Sequence, residues 1–224
     1  MIPWEHLGSA RTPGDGVELW LMRRGGEYSI MAGAIELMNS RLSGSEEALA
    51  TLTHARLAER PAPRVLIGGL GMGFTLRAAL AAFGPDAAVT VAELVPEVIA
   101  WARGPLGFLH GASLDDPRVT LVEGDVGAVI AAAPARFDAI LLDVDNGPEG
   151  LTRPSNDDLY DAYGLRQTHA ALRTGGVLAV WSVSQNPAFA KRLAGAGYAV
   201  EELRVRASAP GKGARHVIWL GTKK

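Results

Sequence analysis

From position 64 to the C-terminus, short apolar runs alternate with stretches in which apolar residues recur every three or four positions. The first pattern is that of buried strands, the second that of amphipathic helices. Strands are predicted over 65–68, 89–93, 119–122, 137–143 and 177–182, and helices over 74–83, 96–103, 126–132, 159–172 and 187–196. The strand runs lack strict polar alternation, so both faces are covered, as in a parallel sheet. Runs at 200–205 and 216–221 flank a Pro-Gly-Lys-Gly tip at 210–213 and read as a closing hairpin. The fold class is therefore α/β: a Rossmann-like, doubly wound, mostly parallel sheet with a C-terminal antiparallel hairpin.

The first sixty residues follow another pattern. Runs at 17–22 and 28–38 are strand-like, and Arg23-Arg24-Gly25-Gly26 supplies the turn between them. Ser43-Gly-Ser-Glu-Glu opens a helix whose Leu49, Leu52, Ala55 and Ala58 recur at helical spacing. Ser43 with Glu46 fits a capping box, and Arg60-Pro-Ala-Pro ends the helix. The expectation is a small N-terminal β-hairpin plus helix over 1–60, appended to a main domain over 61–224.

Composition narrows the function. There is no cysteine, which excludes disulfides, thiolate metal sites and cysteine nucleophiles. The five histidines show no ligand spacing, so no metal is expected. A formal charge of -2 offers no field for nucleic acid or anionic membrane. The opening MIPWEHLGSARTPGDG has no apolar signal core, and no run reaches the length of a bilayer span. A soluble cytoplasmic protein is expected.

Chemistry gathers where the predicted strands end. Gly69, Gly71 and Gly73 lie between the first strand of the main domain and its helix, where glycine lets backbone approach a ligand. Glu93 ends the next strand, 20 positions beyond Gly73, the spacing of a ribose-binding acid. Asp125 follows the third strand and either reads an adenine amine or caps the following helix. Asp143 ends the fourth, with Asp145 just beyond. All four positions are carboxyl ends of strands, where open α/β sheets bind ligands. No GxxxxGK[ST] is present, which argues against a P-loop. The GxGxG spacing, the acids and the final hairpin look like the class I methyltransferase fold, whose ligand is an adenosyl donor. Trp181, Tyr160 and Tyr163 fall near this region; core or interface packing is the better reading for Trp181, while each tyrosine reads equally as stacking on a substrate or as packing.

At this point the chain resembles the spermidine synthases, or aminopropyltransferases. Gly69-Leu-Gly-Met-Gly-Phe-Thr-Leu-Arg77 keeps register with their GGGDGGTLR loop. Ala92-Glu93, Asp116-Pro-Arg-Val119, Gly124-Asp125 and Phe137-Asp-Ala-Ile-Leu-Leu-Asp143 match further motifs, and the N-terminal segment fits as well. The resemblance implies an adenosyl sulfonium donor, S-adenosylmethionine or its decarboxylated form, an amine acceptor, and a homodimer. On it, Gly69, Gly71, Gly73, Glu93 and Asp125 hold the donor, and Asp143, with Asp145 as a substitute, serves the acceptor. Three elements depart from the family pattern. The loop acid is Met72, the YHE ahead of the first helix has no counterpart near Ser45-Glu-Glu-Ala, and DSSDP becomes Asp143-Val-Asp-Asn-Gly-Pro. Three functions stay open: aminopropyl transfer to an amine, methyl transfer to a small molecule, and cofactor binding without catalysis.

Overall fold

The structure, a computed structural model, describes residues 2–57, 59–144, 147–148, 158–208 and 212–224. Four antiparallel strands open the chain, in spatial order: β1 (Glu5–Arg11), β2 (Glu18–Arg24), β3 (Glu27–Ala32) and β4 (Ile35–Asn39). The hairpin expected from sequence is β2–β3, and it is the middle of a four-stranded sheet rather than a lone hairpin. Two features hid the outer strands. The run at 28–38 is broken by a turn at Gly33, and β1 (EHLGSAR) is mostly exposed and poor in apolar residues.

Helix α1 (Gly44–Arg56) follows, and the expected capping box does not form. Ser43 makes no side-chain capping bond, and the Glu46 carboxylate instead accepts a hydrogen bond from Ser45 Oγ at 2.7 Å. Helix α1 packs on α2 and on the large sheet.

That sheet contains β5 (Arg64–Gly68), β6 (Ala88–Glu93), β7 (Val119–Glu123), β8 (Phe137–Leu142), β9 (Leu172–Ser182), β10 (Tyr198–Ser208) and β11 (Lys212–Lys223). Its spatial order is β10-β11-β9-β8-β5-β6-β7. Only β11 runs against the others, inserted between β9 and β10. Helices α2 (Phe74–Ala82), α3 (Pro96–Arg103), α4 (Gly107–His110), α5 (Val126–Ala131), α6 (Ala162–Ala171) and α7 (Pro187–Gly195) complete the layers. The chain winds outward from β5 to β7, then crosses back to β8 on the other side of β5. That reversal opens a crevice at the carboxyl ends of β5 and β8, where a doubly wound sheet binds its ligand.

Burial explains the missing polar alternation. Leu66, Ile140, Leu142, Leu178 and Val180 face one apolar cluster, with Leu165, Phe189 and Trp219. Their strand neighbours Val65, Ile67, Leu141, Val177 and Ala179 face the other, with Leu49, Leu76 and Ile218. Successive side chains of a strand point to opposite faces, so a strand covered on both sides reads as one continuous apolar run. A third cluster joins the N-terminal sheet, through Leu19, Leu21 and Ile30, to Phe74, Val98 and Trp101. This contact brings the small sheet over the glycine loop.

Candidate active site

One cavity lies at the carboxyl ends of β5, β6, β7 and β8. Loop residues Gly69 and Gly71, together with Glu93, Asp125 and Asp143, line it as the sequence suggests. Gly73 supports the loop without lining the cavity, as the left-handed N-cap of α2. Asp145 lies outside the described residues. The wall opposite the loop comes from the N-terminal sheet, including Thr12, Leu19, Ile30 and Met38.

The loop depends on glycine at two positions in particular. Gly69 has φ 90°, and a Cβ there would sit 2.4 Å from the Asp143 carbonyl oxygen. The loop therefore touches the end of β8 backbone to backbone, which only glycine permits. At Gly71, with φ 47°, a Cβ would lie 2.7 Å from Met38 Sδ, so the N-terminal sheet closes directly over the loop. Behind the loop stands His110, buried and held neutral by burial, its pKa lowered to about 4.

Glu93 is buried, and both its oxygens hold backbone. Oε2 accepts the Leu70 N–H and Oε1 the Val95 N–H, each at 2.9 Å. Burial raises its proton affinity, and these backbone donors oppose the rise. A carboxylate has about four lone-pair sites, so Glu93 can tie down the loop and still accept from a ligand. Asp125 caps the following helix and also borders the cavity. Its Oδ1 accepts the Ala128 N–H at 3.0 Å as the N-cap of α5.

Asp143 is different. Thr75 Oγ1 donates to its Oδ2 at 2.6 Å. Removal from water raises its pKa to about 7; the charge of Glu46 adds to the rise and the Thr75 bond opposes it. Glu46 is raised for the same leading reason: burial first, with Glu47 adding charge and Ser45 opposing. The two acids face one cavity and titrate as a pair. Among the described residues lining that cavity there is no lysine or arginine.

Sequence reasoning passed over Glu46, which it had assigned to a helix cap, and placed Trp181 in packing. Trp181 lines the cavity, and its buried indole N–H finds no acceptor among the described residues. Its ring stands edge-on to His216 at 4.7 Å. Tyr160 packs in the core against Phe189 and Tyr163 is exposed, and neither lines the cavity. Met72, in the place of the family's loop acid, is wholly buried in the cluster that joins the two sheets. Among the described residues no three acidic or histidine side chains gather as a metal site requires. No helix among them is long and apolar enough to cross a membrane.

Comparison with known proteins gives this site a context. The spermine/spermidine synthase domain profile matches residues 48–195, from α1 through α7. The chain belongs to the spermine/spermidine synthase family. Polyamine aminopropyltransferase 2 of Pseudomonas aeruginosa is 34% identical over 155 residues, 67% of this chain and 42% of that protein. Putrescine N-methyltransferase 4 of Nicotiana tabacum is 36% identical over 129 residues, 57% of this chain and 32% of that protein. The chain thus spans less than half the length of these curated relatives. A solved spermidine synthase in complex with the transition-state analogue AdoDATO superposes over 98% of this chain and 72% of its own, with a TM-score of 0.76. At 18% identity that likeness shows the fold.

Proposed function

We propose that this protein transfers an alkyl group from an adenosyl sulfonium to a primary amine. The donor is S-adenosylmethionine or its decarboxylated form, and it supplies a carbon already activated by positive sulfur. Gly69 and Gly71 admit it, Glu93 accepts its ribose hydroxyls and Asp125 its adenine amine. The carrying observation is the Asp143–Glu46 pair: two acids in one cavity with no cation among the described lining residues. A bound ammonium ion completes that arrangement. The amine must lose a proton before it attacks, and a carboxylate with a pKa of about 7 is matched to accept it near neutral pH. Asp145, from the same stretch, is a second acid proposed for the acceptor. The names of the aminopropyltransferase and putrescine N-methyltransferase relatives support an amine acceptor.

Methyl transfer is the second reading, and Met72 favours it. The family's acid is replaced by a core residue, so the loop presents no carboxylate at that position. A donor that keeps its own carboxylate then meets no repulsion from it. One experiment separates the readings. Each donor is incubated with the protein and putrescine, then with a panel of primary amines, and the thioether product is identified. Methylthioadenosine reports aminopropyl transfer and S-adenosylhomocysteine reports methyl transfer. Tight donor binding with neither product overturns catalysis and leaves a binding protein. Light scattering on the same preparation reads the homodimer that the family resemblance implies.

A further inference from the structure

The acid pair is connected to a histidine on a distant part of the chain. Ser45 Oγ lies 2.7 Å from Glu46 Oε2 and 2.8 Å from His216 Nδ1. Ser45 is completely buried, whereas His216 on β11 is half-buried and within reach of solvent. A single hydroxyl proton serves both contacts, which ties the state of one end to the state of the other. When Glu46 is ionised, Ser45 donates to it and must accept from His216, so the ring carries its proton on Nδ1. When Glu46 is protonated, its O–H donates to Ser45, the Ser45 proton turns to Nδ1, and the ring carries its own proton on Nε2.

We infer that Ser45 and His216 form a proton-exit path from the Glu46–Asp143 pair to solvent. This rests on the proposed reaction in one respect, the source of the proton. There, an ammonium N–H bond breaks and its proton passes to the carboxylate pair. The freed nitrogen pair forms the N–C bond, the C–S bond breaks, and the thioether leaves neutral. The product nitrogen keeps its positive charge, so one proton per turnover must leave the cavity. It passes from Glu46 to Ser45 Oγ, the Ser45 proton passes to His216 Nδ1, and the ring releases its Nε2 proton to water. The groups facing this path are Glu47 on α1, Thr75 on α2, Asp143 after β8 and Trp181 on β9. Glu47 and Asp143 are acids and favour a proton on the path, while Arg204 and Arg206 on β10 flank Val205, the sheet partner of His216.

The test uses the whole protein, labelled with nitrogen-15, titrated from pH 9 to pH 5 while the His216 ring nitrogens are followed by NMR. The expected result is a change of neutral tautomer, from Nδ1–H at high pH to Nε2–H as the acid pair takes up a proton. Glu46→Gln and Ser45→Ala each fix one tautomer across the range, and Ser45→Thr restores the change. A single tautomer throughout in the wild type, or a wild-type change in both variants, overturns the path. No acceptor is needed, so this outcome is independent of the reaction. A tautomer change without transfer to any amine would overturn the proposed function alone. With an active amine in hand, Ser45→Ala should lower kcat on the order of tenfold, less than loss of the base itself, with donor KM within twofold. Added imidazole should restore turnover in His216→Ala. Wild-type kcat in both variants overturns the path.

Discussion

Strand β8 carries an acid near each end, and the two have opposite surroundings. Asp138, at the start, is fully buried. It is held by Arg60 Nη1 at 2.7 Å, Arg173 Nη1 at 3.1 Å and the Arg64 N–H at 2.8 Å. Asp143, just past the other end, has a threonine hydroxyl and a second acid as neighbours. A charge withdrawn from water costs several kcal/mol unless it is paired. At Asp138 two guanidinium groups offset that cost. At Asp143 the folded chain leaves it standing and adds Glu46 to it. The lesson is that the acid of Asp138 is neutralised within the fold, while the acid of Asp143 is left for the amine proposed above to balance.

The sharpest test of that contrast is Asp143→Asn. If the residue takes the acceptor's proton, turnover should fall by roughly 10²–10⁴ while donor affinity measured by calorimetry stays near wild type. Full activity would remove Asp143 from the chemistry. At the other end of the strand, Asp138→Asn should leave donor affinity nearly intact and destabilise the fold. Breaking a buried ion pair costs about 3–5 kcal/mol, and the partial exposure of both arginines puts this case near the low end. At about 2–4 °C per kcal/mol for a chain of this size, the midpoint of thermal unfolding should fall by roughly 6–12 °C. A variant as stable as wild type would show that the ion pairs of Asp138 with Arg60 and Arg173 contribute no net stability.

pH separates the two ends in another way. Asp143 has a folded pKa of about 7, above its unfolded value of 3.8. Between those values the folded protein keeps a proton that the unfolded chain has lost. This group's contribution to stability therefore falls as pH rises from about 4 to 7 and is level above. The whole span is worth up to about 4 kcal/mol at 1.36 kcal/mol per unit. Denaturant melts at pH 4.5 and 8 should show Asp143→Asn gaining on wild type at the higher pH. An equal difference at both would mean that Asp143 ionises freely in the fold.

Glu93 shows a third solution, an acid satisfied by backbone N–H groups. Glu93→Ala should weaken an adenosyl thioether by at least about tenfold, since charge-assisted bonds contribute roughly 1.5–3 kcal/mol. It should also lower the melting temperature, because Leu70 and Val95 lose their acceptor. Weakened binding without any change in melting would mean that the carboxylate serves the ligand alone.

Much of this arrangement was legible in the chain. The strand–helix alternation, the glycine loop and the acids at the strand ends all rest on local signals: hydrophobic period, the conformational freedom of glycine, and spacing along a few residues. The predicted strands of the main domain appear as β5 to β11. The errors came where local signals mislead. Ser43 and Glu46 have capping-box spacing, yet Glu46 belongs to the cavity because α1 packs beside the end of β8. Strand β1 is recognisable only by its partner, since its own residues are mostly exposed.

What the sequence determined by itself is the frame: the α/β winding, the place of the crevice, and a glycine loop whose bare backbone lines it. Those features follow from periodicity and from residues adjacent in the chain. What only the tertiary structure decided is which acid is neutralised and which is not. Asp138 and Asp143 are five positions apart, at opposite ends of one strand, and nothing local shows which of them is paired with a cation. Their difference comes from Arg60 and Arg173 at one end, and from Glu46, with Ser45 and His216 behind it, at the other. The electrostatic character of a side chain is set by the charges and the water around it, and folding alone brings those together from distant parts of the chain.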